Sequence, residues 1–198
     1  MILEIPEDNF EGYIFDCDGT LVDSMPLHFR AWTASFKHHN APWEWSEDNF
    51  YANAGIPDRD IVGLLNDRYQ TNICADSIHD YKLQWYVERM SELKPVEAVA
   101  EQVFKCRAEG IPISIGTGSE ISIVEPSLRF TGLWEHFDII ITPADVKRGK
   151  PAPDMFLLAA ERMGVSPEKC LVFEDGKAGI DAATAAGMKS VFVDSRNG

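Results

Sequence analysis

The sequence predicts an α/β protein, a parallel sheet flanked by helices with a helical unit inserted after the first strand. Three observations predict it. Short apolar runs alternate with amphipathic helical stretches over residues 11–16 and 111–193, the pattern of βαβ units. Residues 24–92 interrupt that alternation with helical periodicity and no convincing strand. Acidic or hydroxyl-bearing turns follow several apolar runs, and open parallel sheets bind ligands beyond the carboxyl ends of their strands.

The first strand is Gly12–Phe15, a buried apolar run that ends in Asp16. In the insert, Phe29, Trp32 and Phe36 share one helical face. Further helices are expected near 46–53, 58–69 and 77–92, the last capped by Asp76 or Ser77. Hinges near 22–24 and 93–95 divide the chain into a core, 1–23 with 93–198, and an insert, 24–92. The core then alternates helices near 96–109, 120–131, 154–163 and 177–186 with strands at 111–115, 138–141, 170–173 and 190–193. Gly110, Gly164 and Gly187 follow helix ends, and Pro153 stands at a helix start.

A chain of 198 residues, 45% hydrophobic, can bury one core and a small insert. No apolar run approaches the roughly 18 residues of a membrane span. The acidic start, residues 1–8, lacks the basic region of a secretory signal. The net charge of −14, from 32 acidic against 18 basic residues, speaks against nucleic-acid or anionic-membrane partners. A small phosphorylated ligand stays compatible, because a metal and one or two placed cations reverse the field locally. Cys17, Cys74, Cys106 and Cys170 are scattered, with no Cys-x-x-Cys spacing. They read as reduced, mostly buried thiols of a cytoplasmic protein rather than a transition-metal site.

Four stations could carry chemistry. Asp16-Cys17-Asp18-Gly19-Thr20-Leu21 places two carboxylates at a strand end, with a glycine that lets the chain turn. One could act as nucleophile and the other as proton carrier; alone, the segment also reads as a strand followed by an acidic turn. Ile115-Gly116-Thr117-Gly118-Ser119 ends another apolar run before a helix, which suits a phosphate cradle or simply a cap. Lys150, before Pro151-Ala152-Pro153-Asp154, is either a fixed positive charge or a solvated loop lysine. Glu174-Asp175, after Leu171-Val172-Phe173, suits Mg²⁺ or the N-terminus of a helix.

The order of these stations resolves their separate ambiguity. Together they resemble the four motifs of the haloacid dehalogenase-like (HAD) superfamily, over essentially the whole chain. His28-Phe29-Arg30-Ala31-Trp32, Lys150-Pro151-Ala152-Pro153-Asp154 and Glu174-Asp175…Ala178-Gly179-Ile180 resemble the β-phosphoglucomutase-like branch. Gly116-Thr117-Gly118-Ser119-Glu120, Phe156-Leu157-Leu158 and Glu161-Arg162-Met163-Gly164-Val165 are similar to its short sugar-phosphate phosphatases, of the fructose-1-phosphate and 6-phosphogluconate type.

The resemblance implies a Rossmann-like core with a helical cap, and a monomeric Mg²⁺-dependent phosphatase acting on a small phosphorylated sugar or sugar acid. It implies that Asp16 is the nucleophile, Asp18 the acid and base, Thr117 a phosphoryl ligand and Lys150 a charge neutraliser. Gly118 and Ser119 would line the substrate side of the second motif. Mg²⁺ would be held by Asp16, the Asp18 carbonyl and Asp175, with Glu174 in or just outside its ligand shell. Gly176 stands where relatives often carry a hydroxyl residue, which loosens the expected support of Asp175. In the cap, the resemblance gives substrate contacts to His28, Lys82 and Arg59. His28 reads equally as a residue packed beside Trp32, Lys82 also as a solvated helix charge, and Arg59 lies one position off the mutase arginine. Ala54 stands where the mutase has a phosphate-binding lysine, so one charge-assisted contact of roughly 1.5–3 kcal/mol to a second phosphate is missing. That favours hydrolysis over the alternative, a phosphosugar mutase. Trp43, Trp45 and Trp85 read as core of the cap rather than sugar-stacking groups.

Overall fold

The computed structural model describes residues 3–194 and residue 196. They form two units, one holding the chain up to Ser24 and again from Leu93, the other Met25–Glu92. The first crossing thus falls one residue later than the hydrophobic pattern places it.

The core unit is built on β1 (Gly12–Phe15), β2 (Ile113–Gly116), β3 (Ile140–Ile141), β4 (Cys170–Glu174) and β5 (Lys189–Phe192). Among the described residues they make one sheet in the order β3-β2-β1-β4-β5, with every pairing parallel. The register sets Phe15 beside Ile115 on one side and Phe173 on the other. Asp16, Thr117 and Glu174 therefore emerge at one end of the sheet. β3 keeps only two of its four expected residues, and β2 and β5 shift by one or two positions. Such short runs carry no periodicity sharp enough to fix their ends.

Core helices are α5 (Glu97–Glu109), α6 (Ile121–Phe130), α7 (Asp154–Met163) and α8 (Lys177–Ala185). Gly110 and Gly164 cap α5 and α7 in the left-handed conformation, at φ 69° and 70°, which costs a glycine nothing sterically. Ile14, Val172, Met155, Phe156, Ala159 and Ala182 pack into one buried cluster between sheet and helices. Each large apolar side chain sealed there contributes about 1.5–3 kcal/mol relative to exposure.

The second unit holds α1 (Met25–His38), α2 (Glu47–Ala52), α3 (Asp58–Tyr69) and α4 (Ala75–Val87), followed by a 3₁₀ turn at Met90–Glu92. Met25, Trp32 and Phe36 line its core with Trp43, Phe50, Ile61, Val62, Leu65 and Ile78. Phe29 and Trp45 are partly buried against that cluster. Two expectations are corrected. The last helix starts at Ala75 with Cys74 at its N-cap, so neither Asp76 nor Ser77 caps it. Trp85 lies outside the core cluster, flanked by the guanidinium groups of Arg30 and Arg89 at 5.7 and 4.0 Å from its ring. Of the cysteines, Cys17, Cys106 and Cys170 are buried free thiols and Cys74 is exposed.

Candidate active site

The site grows from the carboxyl ends of β1, β2 and β4, the three central strands. The Asp16 amide donates to the Phe173 carbonyl at 2.9 Å, and the Thr117 amide to the Ile141 carbonyl at 3.0 Å, so the sheet ladder continues one residue into each loop. Asp16 is 6% exposed, Thr117 1% and Glu174 4%, which places charged and polar groups inside the protein wall.

Lys150 ties the acids together. Its Nζ donates to Asp16 Oδ1 at 2.6 Å and to Glu174 Oε2 at 2.7 Å. Burial pulls the lysine pKa down, but the two carboxylates outweigh it and raise the pKa above its ordinary value. Burial, and next the Glu174 carboxylate, push Asp16 well above the usual carboxylate range against the pull of Lys150. Glu174 Oε1 also accepts from the Gly176 amide at 3.2 Å. Position 176, where a hydroxyl is absent, thus supports Glu174 through its backbone.

Asp16, Glu174 and Asp175 each bring a carboxylate oxygen within 4.8 Å of the others. Two of them, Asp16 and Glu174, are buried and share the single Lys150 ammonium group. That donor set, hard and all-oxygen, fits Mg²⁺. The Asp18 side chain stands apart from this cluster and accepts from Ser24 Oγ at 2.7 Å and Ser119 Oγ at 2.6 Å. The Ser119 amide in turn donates to Thr117 Oγ1 at 3.1 Å. Gly118 is exposed, with open space where a β-carbon would stand.

The structure thus brings together Asp16, Asp18, Thr117, Ser119, Lys150, Glu174 and Asp175 in the core unit. Ser24 joins them although no motif names it; the only sequence signal is a hydroxyl six residues beyond Asp18. The cap candidates lie in the other unit. Lys82 Nζ is held by both oxygens of Asp58, at 2.9 and 2.8 Å, and lies 4.8 Å from the centre of the Trp32 ring. Arg59 is exposed and paired with Asp76 at 2.6 Å. His28 stacks on Tyr86, with ring centres 4.1 Å apart. Lys82 is therefore a partly buried, paired cation rather than a solvated one.

A parallel sheet that gathers buried carboxylates, a hydroxyl and a lysine at one end defines a class of α/β enzyme with an acidic, metal-competent centre. The family is shown as well. The model of the haloacid dehalogenase-like hydrolases matches residues 10–187, and the chain belongs to that family. It is 36% identical to the fructose-1-phosphate phosphatase YqaB of Escherichia coli, over 94% of this chain and 97% of that protein. It is 32% identical to a phosphorylated carbohydrates phosphatase of Thermotoga maritima, over 92% and 84% of the two chains. Among solved structures, CbbY from Rhodobacter sphaeroides in complex with phosphate superimposes with a TM-score of 0.78 at 26% identity, covering 91% of this chain and 84% of that one. A putative β-phosphoglucomutase from Thermotoga maritima gives a TM-score of 0.72 at 31% identity, over 90% and 82%. Among the described residues no helix is long and apolar enough to cross a membrane.

Proposed function

We propose that this protein is a Mg²⁺-dependent phosphatase that hydrolyses a small sugar phosphate through a phosphoryl group carried on Asp16. One observation carries the reading: neighbouring carboxylates on one loop have opposite kinds of partner. Asp16 is held by an ammonium group, whose charge favours the ionised form against burial and the neighbouring Glu174 carboxylate. Asp18 is held by two hydroxyls, and a hydroxyl donates to a carboxylate or accepts from a carboxylic acid equally well. The first is built to stay a nucleophile, the second to carry a proton in either direction.

The steps follow. An Asp16 oxygen forms a bond to phosphorus while the bond from phosphorus to the sugar oxygen breaks, and that oxygen takes the proton of Asp18. Water then attacks the same phosphorus, gives its proton to Asp18, and Asp16 leaves as carboxylate. Lys150 sits where negative charge builds on the transferring group, and Thr117 offers a hydroxyl to it. Asp16, Asp175 and the Asp18 carbonyl would hold the metal; Glu174, with Lys150 on one oxygen and the Gly176 amide on the other, acts chiefly on the lysine. Bound Mg²⁺ would supply the charge that lets an anionic nucleophile approach an anionic phosphate.

The substrate class rests on the named relatives, two of which are phosphatases of phosphorylated sugars. The helical unit serves as the cap. Its Lys82 and Arg59 are both committed to acids, which favours a monophosphate over the bisphosphate that a mutase must grip at both ends. The test is phosphate release with Mg²⁺ and with EDTA from fructose 1-phosphate, 6-phosphogluconate and β-glucose 1-phosphate, the last with a trace of its 1,6-bisphosphate. Metal-dependent phosphate release is expected. Glucose 6-phosphate without matching free phosphate would establish the mutase instead.

A further inference from the structure

Besides the carboxylates of Asp16 and Glu174, the Lys150 ammonium group meets an aromatic face. The centre of the Phe156 ring lies 5.1 Å from Nζ. The chain arranges that approach from two directions. Lys150 and Phe156 flank a short loop that leads into the first turn of α7, and Arg148 fastens this loop with two hydrogen bonds to the Asp154 carboxylate, at 3.1 and 2.6 Å. From the sheet, Gly116 at the end of β2 leaves room for the ring: a β-carbon there would stand 3.0 Å from both Phe156 Cδ1 and Cε1. Phe156 is wholly buried, so the cluster of Ile14, Val172 and Met155 holds the ring in turn.

We propose that Phe156 is a positioning residue whose ring face holds the Lys150 ammonium group in place against the Asp16 and Glu174 carboxylates. The inference rests on Lys150 acting on the transferring phosphoryl group in the proposed reaction. An aromatic face carries partial negative charge and attracts a cation within about 6 Å, most strongly where water is excluded. The Lys150 side chain is 10% exposed, so little solvent competes. An ammonium group has three N–H donors. A ring confines it without claiming, as a further carboxylate would, the donor that a phosphoryl oxygen needs. A leucine could fill the same cluster, but it has no charged face to offer. A cation displaced by about 1 Å stabilises the transition state less, while contacts to the rest of the substrate persist.

The test keeps the shape of the ring and changes its charge. Mono-, di- and trifluorinated phenylalanines are placed at position 156 by nonsense suppression, each fluorine drawing electron density from the face. On the sugar phosphate turned over fastest in the panel above, kcat should fall stepwise, by about tenfold at the trifluorinated ring, with KM held within about twofold. Stability gives a second readout without turnover. In EDTA the melting temperature should drop along the series relative to its course in Lys150→Met with Glu174→Gln, where no cation faces the ring. A level kcat across the series overturns the inference, because packing alone is indifferent to ring charge. Equal courses of the melting temperature with and without Lys150 overturn it too. Lys150→Met separates the two levels. Full turnover in that variant removes Lys150 from the reaction, and the inference with it; an inactive Lys150→Met beside a level fluorine series removes only the role of Phe156.

Discussion

Gly179 holds open the space that the Glu174 side chain occupies. A β-carbon at Gly179 would stand 2.0 Å from Glu174 Cδ and 2.2 Å from Oε2, far inside contact distance. The glycine lies in the first turn of α8, so the glutamate rests against that helix and can meet Lys150 from there.

Gly179→Ala should therefore reverse the ordinary sign. Replacing a helical glycine with alanine normally stabilises by about 1 kcal/mol. Here the methyl group evicts Glu174 and leaves Lys150 with one carboxylate fewer. A lower unfolding midpoint and reduced turnover are expected. Shortening the glutamate in the same background, Gly179→Ala with Glu174→Asp, should recover part of the stability. A Gly179→Ala variant more stable than wild type would contradict the contact.

Lys150→Met tests the buried charge cluster. Removing one partner of a buried ion pair costs about 3–5 kcal/mol, because the remaining charges lose their compensation. Lys150 and Glu174 side chains are 10% and 5% exposed, so water screens them little. Denaturant unfolding in EDTA should show the loss. Lys150→Met with Glu174→Gln should regain stability without regaining activity.

Asp16→Asn removes one of the crowded carboxylates while keeping its shape. In EDTA the variant should be at least as stable as wild type, since the like charge of Glu174 no longer opposes a buried anion. Turnover should vanish. Adding Mg²⁺ should raise the wild-type melting temperature more than that of Asp16→Asn; a ligand at one hundred times its Kd stabilises by about 2.7 kcal/mol. Equal shifts in the two proteins would remove Asp16 from the metal site.

The helical unit has its own pH signature. Burial alone would raise the Asp58 pKa, but the Lys82 charge and the hydrogen bonds from Lys82 and His79 hold it below its ordinary value. The folded pKa thus lies below the unfolded one of about 3.9. The stabilisation is complete above that value and disappears as pH falls through the folded pKa. Asp58→Asn should cost most near neutral pH, and its difference from wild type should shrink below about pH 4. Unfolding midpoints at pH 7 and pH 3.5 check this; a constant difference would show that the charge of Asp58 contributes nothing.

Much of this arrangement was legible in the chain itself. Asp16 and Glu174 end strongly apolar runs, so their exit at a sheet end followed from local pattern. The helical texture of residues 24–92 marked the second unit in the same way. Partnerships across long chain separation were not legible. Nothing near Lys82 announces Asp58, and nothing near Ser119 announces Asp18. Trp85 has the composition of a core residue, yet two arginines cover its ring, because cation–π contact stabilises an aromatic at the surface as well. Cys74 could not be chosen as a cap from propensity: its side chain makes no capping bond, and the helix begins there without one.

The two chain crossings are fastened side by side. The Asp23 amide donates to the Lys94 carbonyl at 2.9 Å, the Val96 amide to the Leu21 carbonyl at 3.0 Å, and Val22 bridges Pro95. To the core, everything from Met25 to Glu92 is a loop whose ends already touch. Closure entropy grows only with the logarithm of loop length. An insert with its own packed centre can therefore be enlarged, trimmed or exchanged at almost no expense to the sheet. The stapled crossing makes the helical unit a cassette, free to diverge while the sheet and its carboxylates stay fixed.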